Sequence, residues 1–277
     1  MKIAFNQATT LRKSTLAKDL TFCEKVGYDY IEIRLDQLRD YLQEQTVDDL
    51  TAFFQQSHLK PYAFNALEFI NFRHAIDFEQ IKADCRFLCE IGKAIHCNRI
   101  IVVPSFDIGD YTKAQIQAET IRVLKELAEV AEPYGMKLAL EFCGYPNCSI
   151  NTFAQAYSII CELDHDHVGL VLDCFHFHAM NSDLNDLRQA DPEKIFVFHI
   201  DDCEDLPVGS LRDHHRLWPG EGAIDLEGIL RTLKEIGYSE MASIELFRPE
   251  YWEWDVEKTI RVAKEKTERV IRPIFGE

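Results

Sequence analysis

The sequence predicts an α/β protein with the (β/α)8 TIM-barrel fold, as a single domain over residues 1–277. Three observations lead to this prediction. Eight short β-rich runs alternate with longer amphipathic segments of helical periodicity. The first run ends in "NQATT", not in the glycine-rich phosphate loop that marks many open doubly wound sheets. No linker or low-complexity tract divides the chain, so the eight strand–helix units should close into one barrel.

The predicted strands are runs rich in β-branched, aromatic and other apolar residues. In chain order they are residues 3–6 (IAFN), 30–35 (YIEIRL), 61–67 (PYAFNAL), 99–105 (RIIVVPS), 137–143 (KLALEFC), 168–174 (VGLVLDC), 195–201 (IFVFHID) and 242–247 (ASIELF). Helical segments lie between them, for example over residues 16–27, 112–133 and 225–237. The last of these begins at Asp225, a good N-cap residue, and ends at a glycine that can close a helix.

Charge and cysteine content narrow the function classes. Acidic residues outnumber basic ones by 47 to 30, giving a formal net charge of −17. Such a surface repels phosphate backbones and anionic lipid headgroups, so we expect neither nucleic acid nor a membrane as a partner. The nine cysteines form no C-x-x-C pair. With no signal peptide and no apolar run of roughly 18 residues, this favours a cytoplasmic protein.

Ionisable residues end four consecutive predicted strands. Glu141 follows "LAL", Asp173 follows "LVL", His199 follows "FVF" and Glu245 follows "SI", each roughly one strand–helix unit after the last. In a parallel barrel the C-terminal ends of the strands form one rim, where active sites are built. Three carboxylates on that rim, with an imidazole among them, would repel one another without a cation. The pattern therefore predicts that these four residues bind one divalent metal ion.

A single acidic residue at a strand end is more often a helix cap or a loop anchor than a metal ligand. Four such residues in consecutive units favour the metal site over that alternative. A ligand set of carboxylate oxygens with one imidazole nitrogen suits Zn²⁺ or Mn²⁺ best, and Co²⁺ or Mg²⁺ also fit. The predicted cofactor is thus one divalent cation, with zinc and manganese preferred.

Several motifs carry a family resemblance that spans residues 3–255. They are "FNQATT", "CEKVGYDYIEIR", "EPYGMKLALEF", "GLVLDCFHFHAM", "HIDDCEDLPVG", "WPGEGAIDL" and "ELFRPEY". In combination they resemble the xylose-isomerase-like TIM-barrel superfamily of sugar isomerases and epimerases and, within it, the inosose isomerases of bacterial myo-inositol catabolism. The resemblance implies an intramolecular oxidoreductase that depends on a divalent metal.

The implied reaction interconverts 2-keto-myo-inositol and 1-keto-D-chiro-inositol by proton transfer through a metal-stabilised enediolate. Related ketose epimerases use two glutamates both as metal ligands and as proton carriers, and the matching residues here are Glu141 and Glu245. The resemblance therefore implies that both are catalytic, and leaves open which of them is the base. The expected partner is a small cyclitol, and a homo-oligomer is left open.

The resemblance also implies substrate contacts. His176, three residues after Asp173, matches the epimerase histidine that binds a substrate oxygen, and Arg216, ahead of "PGEG", matches their substrate arginine. The alternatives are a loop histidine and a solvated loop arginine. Arg248 in "ELFRPEY" is expected either to bind a hydroxyl or to form a salt bridge with Glu250.

Asn147 marks a departure from the ketohexose epimerases, which carry a glutamate at this position, six residues after the first metal ligand. This counts against a ketohexose epimerase and makes Asn147 a candidate substrate contact. Polar residues on the first three strands either meet far hydroxyls of the cyclitol or pair with one another. These residues are Asn6, Glu32, Arg34 and Asn65.

Other functions stay open at this level. An inosose dehydratase, which is a lyase, or another ketose epimerase or isomerase of the superfamily would share the barrel, the metal and the first proton abstraction. An apurinic-site endonuclease would need a basic surface facing DNA, which the net charge argues against. A sugar sensor without activity would not need the complete ligand quartet.

Overall fold

The barrel predicted from the sequence is confirmed. The computed structural model describes residues 1–238 and 240–276. Eight parallel strands close a barrel. They are β1 (Lys2–Asn6), β2 (Tyr30–Arg34), β3 (Lys60–Leu67), β4 (Arg99–Val102), β5 (Lys137–Glu141), β6 (Val168–Asp173), β7 (Ile195–Ile200) and β10 (Met241–Ile244). Their order around the barrel is β1-β10-β7-β6-β5-β4-β3-β2.

All eight predicted strands are present, but most end one to three residues before the predicted C-terminal boundary. The differences are largest in β10, predicted to reach residue 247 and observed to end at Ile244, and in β4, predicted to reach residue 105 and observed to end at Val102. Pro104 follows shortly after and cannot donate a hydrogen bond to a neighbouring strand. Apolar side chains continue past the strand ends because the loops there are also buried.

Helices surround the barrel and also build its rim. They are α1 (Leu16–Val26), α2 (Leu35–Glu44), α3 (Val47–Gln56), α4 (Ala75–Ile95), α5 (Lys113–Ala131), α6 (Phe153–Leu163), α7 (Cys174–Ala179), α8 (Leu184–Arg188), α9 (Leu226–Ile236), α10 (Pro249–Trp252) and α11 (Val256–Phe275). Among the described residues, no helix is both long and apolar enough to cross a membrane.

Local sequence explains where these helices begin and end. The Asp225 side chain accepts a hydrogen bond from the Gly228 amide and so caps α9, as predicted. Gly237 closes the same helix in the left-handed region, with φ 92°. Thr112 and Gln115 form a capping box at the start of α5. The predicted helix boundaries therefore agree with the structure to within a few residues.

Two apolar layers hold the barrel together. Outward-facing strand residues pack under the surrounding helices in a large continuous core. A smaller cluster of mostly small side chains fills the barrel interior, including Ala4, Ala63, Ala139 and Val171. The interior is thus a packed core rather than a channel, and polar chemistry is left to the barrel ends.

A two-stranded antiparallel ribbon lies beyond the end of β7. It pairs β8 (Asp202–Cys203) with β9 (Arg216–Leu217). The sequence did not predict these short strands, since neither shows a periodic pattern. The ribbon brings Arg216 back over the C-terminal end of the barrel.

Candidate metal centre and active site

The four residues predicted as metal ligands converge at the C-terminal end of the barrel. One ligand atom from each of Glu141, Asp173, His199 and Glu245 lies within 4.8 Å of every other. All four residues are buried. The strands that carry them are neighbours in the barrel, so residues far apart in sequence meet around one point.

Strand ends set the position of each group. Glu141 and Asp173 are the last residues of β5 and β6, His199 is the second-last residue of β7, and Glu245 directly follows β10. Asp173 also caps α7, because its Oδ1 accepts a hydrogen bond of 2.7 Å from the amide of His176. The helix therefore starts without a loop and holds His176 close to the quartet.

The His199 ring is held from both sides. Its Nδ1 lies 3.0 Å from Glu141 Oε1, 3.2 Å from Glu245 Oε2 and 3.6 Å from Asp173 Oδ2. Its Nε2 lies 3.1 Å from both carboxylate oxygens of Glu32, which is fully buried on β2. A carboxylate behind a ligand histidine fixes its tautomer and raises its basicity. Glu32 thus leaves Nδ1 as the nitrogen available to a metal.

We expect Glu32→Gln to weaken metal binding by about tenfold, because the neutral amide no longer supports the charge on the His199 ring. Titration of the metal-free protein with Zn²⁺ in the presence of a competing chelator measures this change in affinity. Glu44→Gln, which removes the same charge at the end of α2, is the control and should bind as the wild type does. A Zn²⁺ affinity for Glu32→Gln within about twofold of wild type would exclude this role.

The two glutamates of the quartet differ in their surroundings. Glu245 Oε1 accepts hydrogen bonds from the side-chain amides of Asn6 at 2.8 Å and Asn65 at 2.9 Å. Its Oε2 faces His199, so both of its oxygens are engaged. Glu141 is held only through Oε1, and its Oε2 makes no hydrogen bond to the described residues.

The charges in the quartet shift the pKa values of its members. Burial raises the pKa of Glu141 to about 7; His199 opposes this shift and Glu245 adds to it. Burial alone would lower the pKa of His199, but the surrounding carboxylates raise it well above its ordinary value. Burial opposes ionisation of Asp173 as well, yet the nearby Arg216 guanidinium holds its pKa below the usual range. The raised pKa of His199 reflects the negative charge concentrated around its ring, which a cation would relieve.

Arg216 is fully buried beside the quartet. Its Nη1 donates to Asp173 Oδ2 at 2.8 Å and to Asp201 Oδ2. Its Nη2 lies 3.2 Å from Nε2 of His176. Burial and the charge of Asp173 raise the pKa of Asp201 well above its ordinary value. Arg216 therefore compensates two buried aspartates, and it is not the solvated loop arginine considered as an alternative.

The other predicted substrate residues lie further out. The exposed Asn147 donates its side-chain amide to Asp107, with 3.1 Å to each carboxylate oxygen. Arg248 donates to Glu204 at 2.7 Å, and its Nε lies 3.3 Å from Glu250, the salt bridge considered as an alternative. Neither residue contacts the quartet. The substrate-binding roles of Asn147 and Arg248 remain predictions.

Three polar residues of the first strands have roles that sequence reasoning left undecided. Asn6 and Asn65 contact Glu245, and Glu32 contacts His199, so these residues pair with members of the quartet rather than with one another. The sequence does not identify Asp201 as a residue of the site. Its only signal was a place directly after a buried strand, in "FHIDD", which many structural residues share.

The donor set fits a divalent cation. Three buried carboxylates and one imidazole nitrogen face a common point, and the second nitrogen of the imidazole is already engaged by Glu32. Oxygen ligands with one nitrogen suit Zn²⁺, Mn²⁺, Co²⁺ and Mg²⁺. The residues that would hold the ion are therefore Glu141, Asp173, His199 and Glu245.

Comparison with known proteins places these features in a family. The family model described as "Xylose isomerase-like TIM barrel" matches residues 20–266. An inosose isomerase of Halalkalibacterium halodurans is 50% identical over 276 residues, which is 99% of this chain and 98% of that protein. The inosose isomerase of Bacillus subtilis is 49% identical over 277 residues, with complete coverage of both chains.

A solved structure is also similar to this protein over the whole chain. The crystal structure of an IOLI protein with a bound zinc atom superposes with a TM-score of 0.98 at 48% sequence identity. The superposition covers 100% of both chains. The similarity thus extends over the whole barrel, including every strand end that carries a quartet residue.

Proposed function

Since this chain belongs to the xylose isomerase-like TIM barrels and, within them, to the inosose isomerases, we propose that it interconverts 2-keto-myo-inositol and 1-keto-D-chiro-inositol in myo-inositol catabolism. We further propose that the reaction depends on one divalent metal ion, with zinc or manganese preferred. The observation that carries the proposal is the buried quartet of Glu141, Asp173, His199 and Glu245. It is supported by the curated inosose isomerases and by the relative with a bound zinc atom.

The reaction moves a carbonyl group to the neighbouring hydroxyl carbon. A C–H proton must pass from the hydroxyl carbon to the carbonyl carbon, and the hydroxyl proton must pass from one oxygen to the other, with an enediolate between the two steps. When bound, a divalent cation supplies Lewis-acid stabilisation for the negative charge that develops on the two substrate oxygens. The protein side chains must then provide the proton carrier and orient the ring.

Glu141 is the proposed proton carrier. Its Oε2 makes no hydrogen bond to the described residues, so it is available to take the proton from one carbon and return it to the next. Glu245 is less suited, because Asn6 and Asn65 occupy its Oε1 and its Oε2 faces the point shared by the quartet. Glu245 can carry a proton only if those amides release it, and this is the second possibility to be tested.

His176 is proposed to orient the substrate. Arg216 Nη2 always carries hydrogen, so the facing Nε2 of His176 accepts and the ring proton lies on Nδ1. Burial keeps the pKa of this imidazole below its usual value, which favours the neutral form. Nδ1 is buried and has no hydrogen-bond partner among the described residues. It can therefore donate to a substrate oxygen, with Arg216 holding the ring in place.

Product analysis tests the proposed reaction. The metal-loaded protein is incubated with 2-keto-myo-inositol, and the product is examined by mass spectrometry and by ¹³C NMR. The proposal predicts a product of unchanged mass whose carbonyl has moved to a neighbouring carbon. A product lighter by one water would instead identify a dehydratase. Unchanged substrate under the same conditions would contradict both.

A further inference from the structure

A cavity lies at the opposite end of the barrel from the quartet. Its volume is about 1070 Å³. The first residues of four neighbouring strands line it, namely Lys2 of β1, Tyr30 of β2, Lys60 of β3 and Arg99 of β4. Because all eight strands are parallel, the starts of these strands face away from the C-terminal rim. The cavity therefore cannot belong to the site described above.

The charge of this cavity is opposite to that of the whole protein. Among the described residues, four permanent cations line it, Lys2, Lys60, Lys93 and Arg99, against one carboxylate, that of Glu240. The chain as a whole has 47 acidic and 30 basic residues. A positive concavity on a strongly negative surface concentrates anions locally, because its field opposes that of the surroundings.

Glu240 does not neutralise the lysines. Its Oε2 accepts hydrogen bonds from Arg99 at 3.0 Å and from the Tyr62 hydroxyl at 2.7 Å. Among the described residues, no carboxylate lies within 4.0 Å of Lys2, Lys60 or Lys93. The three lysines that line the concavity thus have no carboxylate partner in the part of the chain that the structure describes.

Contacts within the protein orient two of these lysines and leave their charge available to a ligand. Lys60 Nζ donates to the carbonyl oxygens of Phe54 and Ser57, which leaves one of its three N–H donors free. Lys2 Nζ lies 5.1 Å from the ring centroid of Tyr30. These contacts fix the direction of both side chains, and cation–aromatic contact does not neutralise the charge.

The wall of the cavity is partly aromatic. The ring centroids of Tyr30 and Tyr62 lie 5.1 Å apart, and the Arg99 guanidinium lies 4.3 Å from the Tyr62 ring centroid. Phe54 on α3 adds an apolar surface. The Nε atom of Arg99 is buried and has no hydrogen-bond partner among the described residues. A ligand suited to this cavity has an anionic group for the cations and an apolar body for the wall.

We propose that this basic cavity binds a small organic phosphate, with the phosphate group on Lys2, Lys60 and Lys93 and the organic part against Tyr30 and Phe54. A phosphate carries close to two negative charges at neutral pH, and lysine binds it as a point charge. The site is separate from the proposed isomerase reaction.

Isothermal titration calorimetry at low ionic strength tests the proposal, because salt screens contacts between exposed charges. The metal-loaded protein is titrated with phenyl phosphate and, separately, with inorganic phosphate. We expect one phenyl phosphate to bind per chain, more tightly than inorganic phosphate. In the double variant Lys2→Gln/Lys93→Gln the affinity should fall by about tenfold, since two charge-assisted contacts are lost.

The control is Lys113→Gln/Lys125→Gln, which removes the same charge from two exposed lysines of α5 that do not line the cavity. It should bind phenyl phosphate as the wild type does, and both double variants should keep isomerase activity. Three results would overturn the proposal: absence of saturable binding, equal weakening in both double variants, or equal affinity for the two probes. Binding that survives Lys2→Gln/Lys93→Gln and competes with the ketone substrate would also overturn it, since the anion would then occupy the metal centre.

Discussion

Glu141→Gln is expected to lower kcat for 2-keto-myo-inositol by about 10³-fold at saturating metal, the effect of losing a general base. The glutamine oxygen can still face the metal position, but the amide cannot accept the substrate proton. Steady-state kinetics with metal in excess distinguish this decrease in kcat from a decrease in the amount of bound metal.

Glu245→Gln is the matched comparison, because it removes the same charge from the same quartet. We expect its main defect to be weaker metal binding, with a smaller loss of kcat once metal is saturating. This follows from the two amides that hold Glu245 Oε1. A kcat for Glu141→Gln within about tenfold of wild type would remove that residue as the base. A larger loss in Glu245→Gln than in Glu141→Gln would reverse the two assignments.

We expect Arg216→Met to lower the free energy of unfolding more than any of the other substitutions proposed for this protein. Arg216 is fully buried, and without it the buried carboxylate of Asp173 would lose its guanidinium and Asp201 would lose a hydrogen-bond donor. Removing one partner of a buried ion pair costs about 3–5 kcal/mol of unfolding free energy. In a chain of this size that lowers the Tm by roughly 10 °C. Urea and thermal unfolding of the metal-free protein measure the change, since bound metal would itself compensate Asp173.

Arg248→Met provides the control for Arg216→Met. Arg248 pairs with Glu204 and Glu250, whose side chains are 37% and 66% exposed, so its loss should cost no more than about 1 kcal/mol. If Arg216→Met unfolded at the same urea concentration as Arg248→Met, the buried network would not be a major source of stability.

The sequence was sufficient for the barrel and for the convergence of the quartet. Both depend on chain-local patterns: alternating strands and helices, and an ionisable residue where an apolar run ends. Glu141, Asp173, His199 and Glu245 meet because parallel strands bring such ends to one rim. The geometry follows from the fold once the strands are placed within two or three residues.

The supporting contacts could not be predicted in the same way. Glu32 reaches His199 from another part of the barrel, and nothing in the sequence links the two residues. Arg216 lies in a polar loop, and its burial depends on the short ribbon that returns it to the barrel end. Such pairings depend on the closure of the barrel in three dimensions, whereas sequence patterns report only local periodicity.

A metal titration tests the central claim most directly. Protein stripped with a chelator is titrated with Mn²⁺ or Zn²⁺, and bound metal and isomerase activity are measured on the same samples. We predict that the stripped protein is inactive, and that activity rises in proportion to bound metal up to one ion per chain. The same titration of Asp173→Asn should show weakened binding. Full activity at less than about one-tenth of a metal ion per chain would contradict a metal-dependent reaction at this quartet.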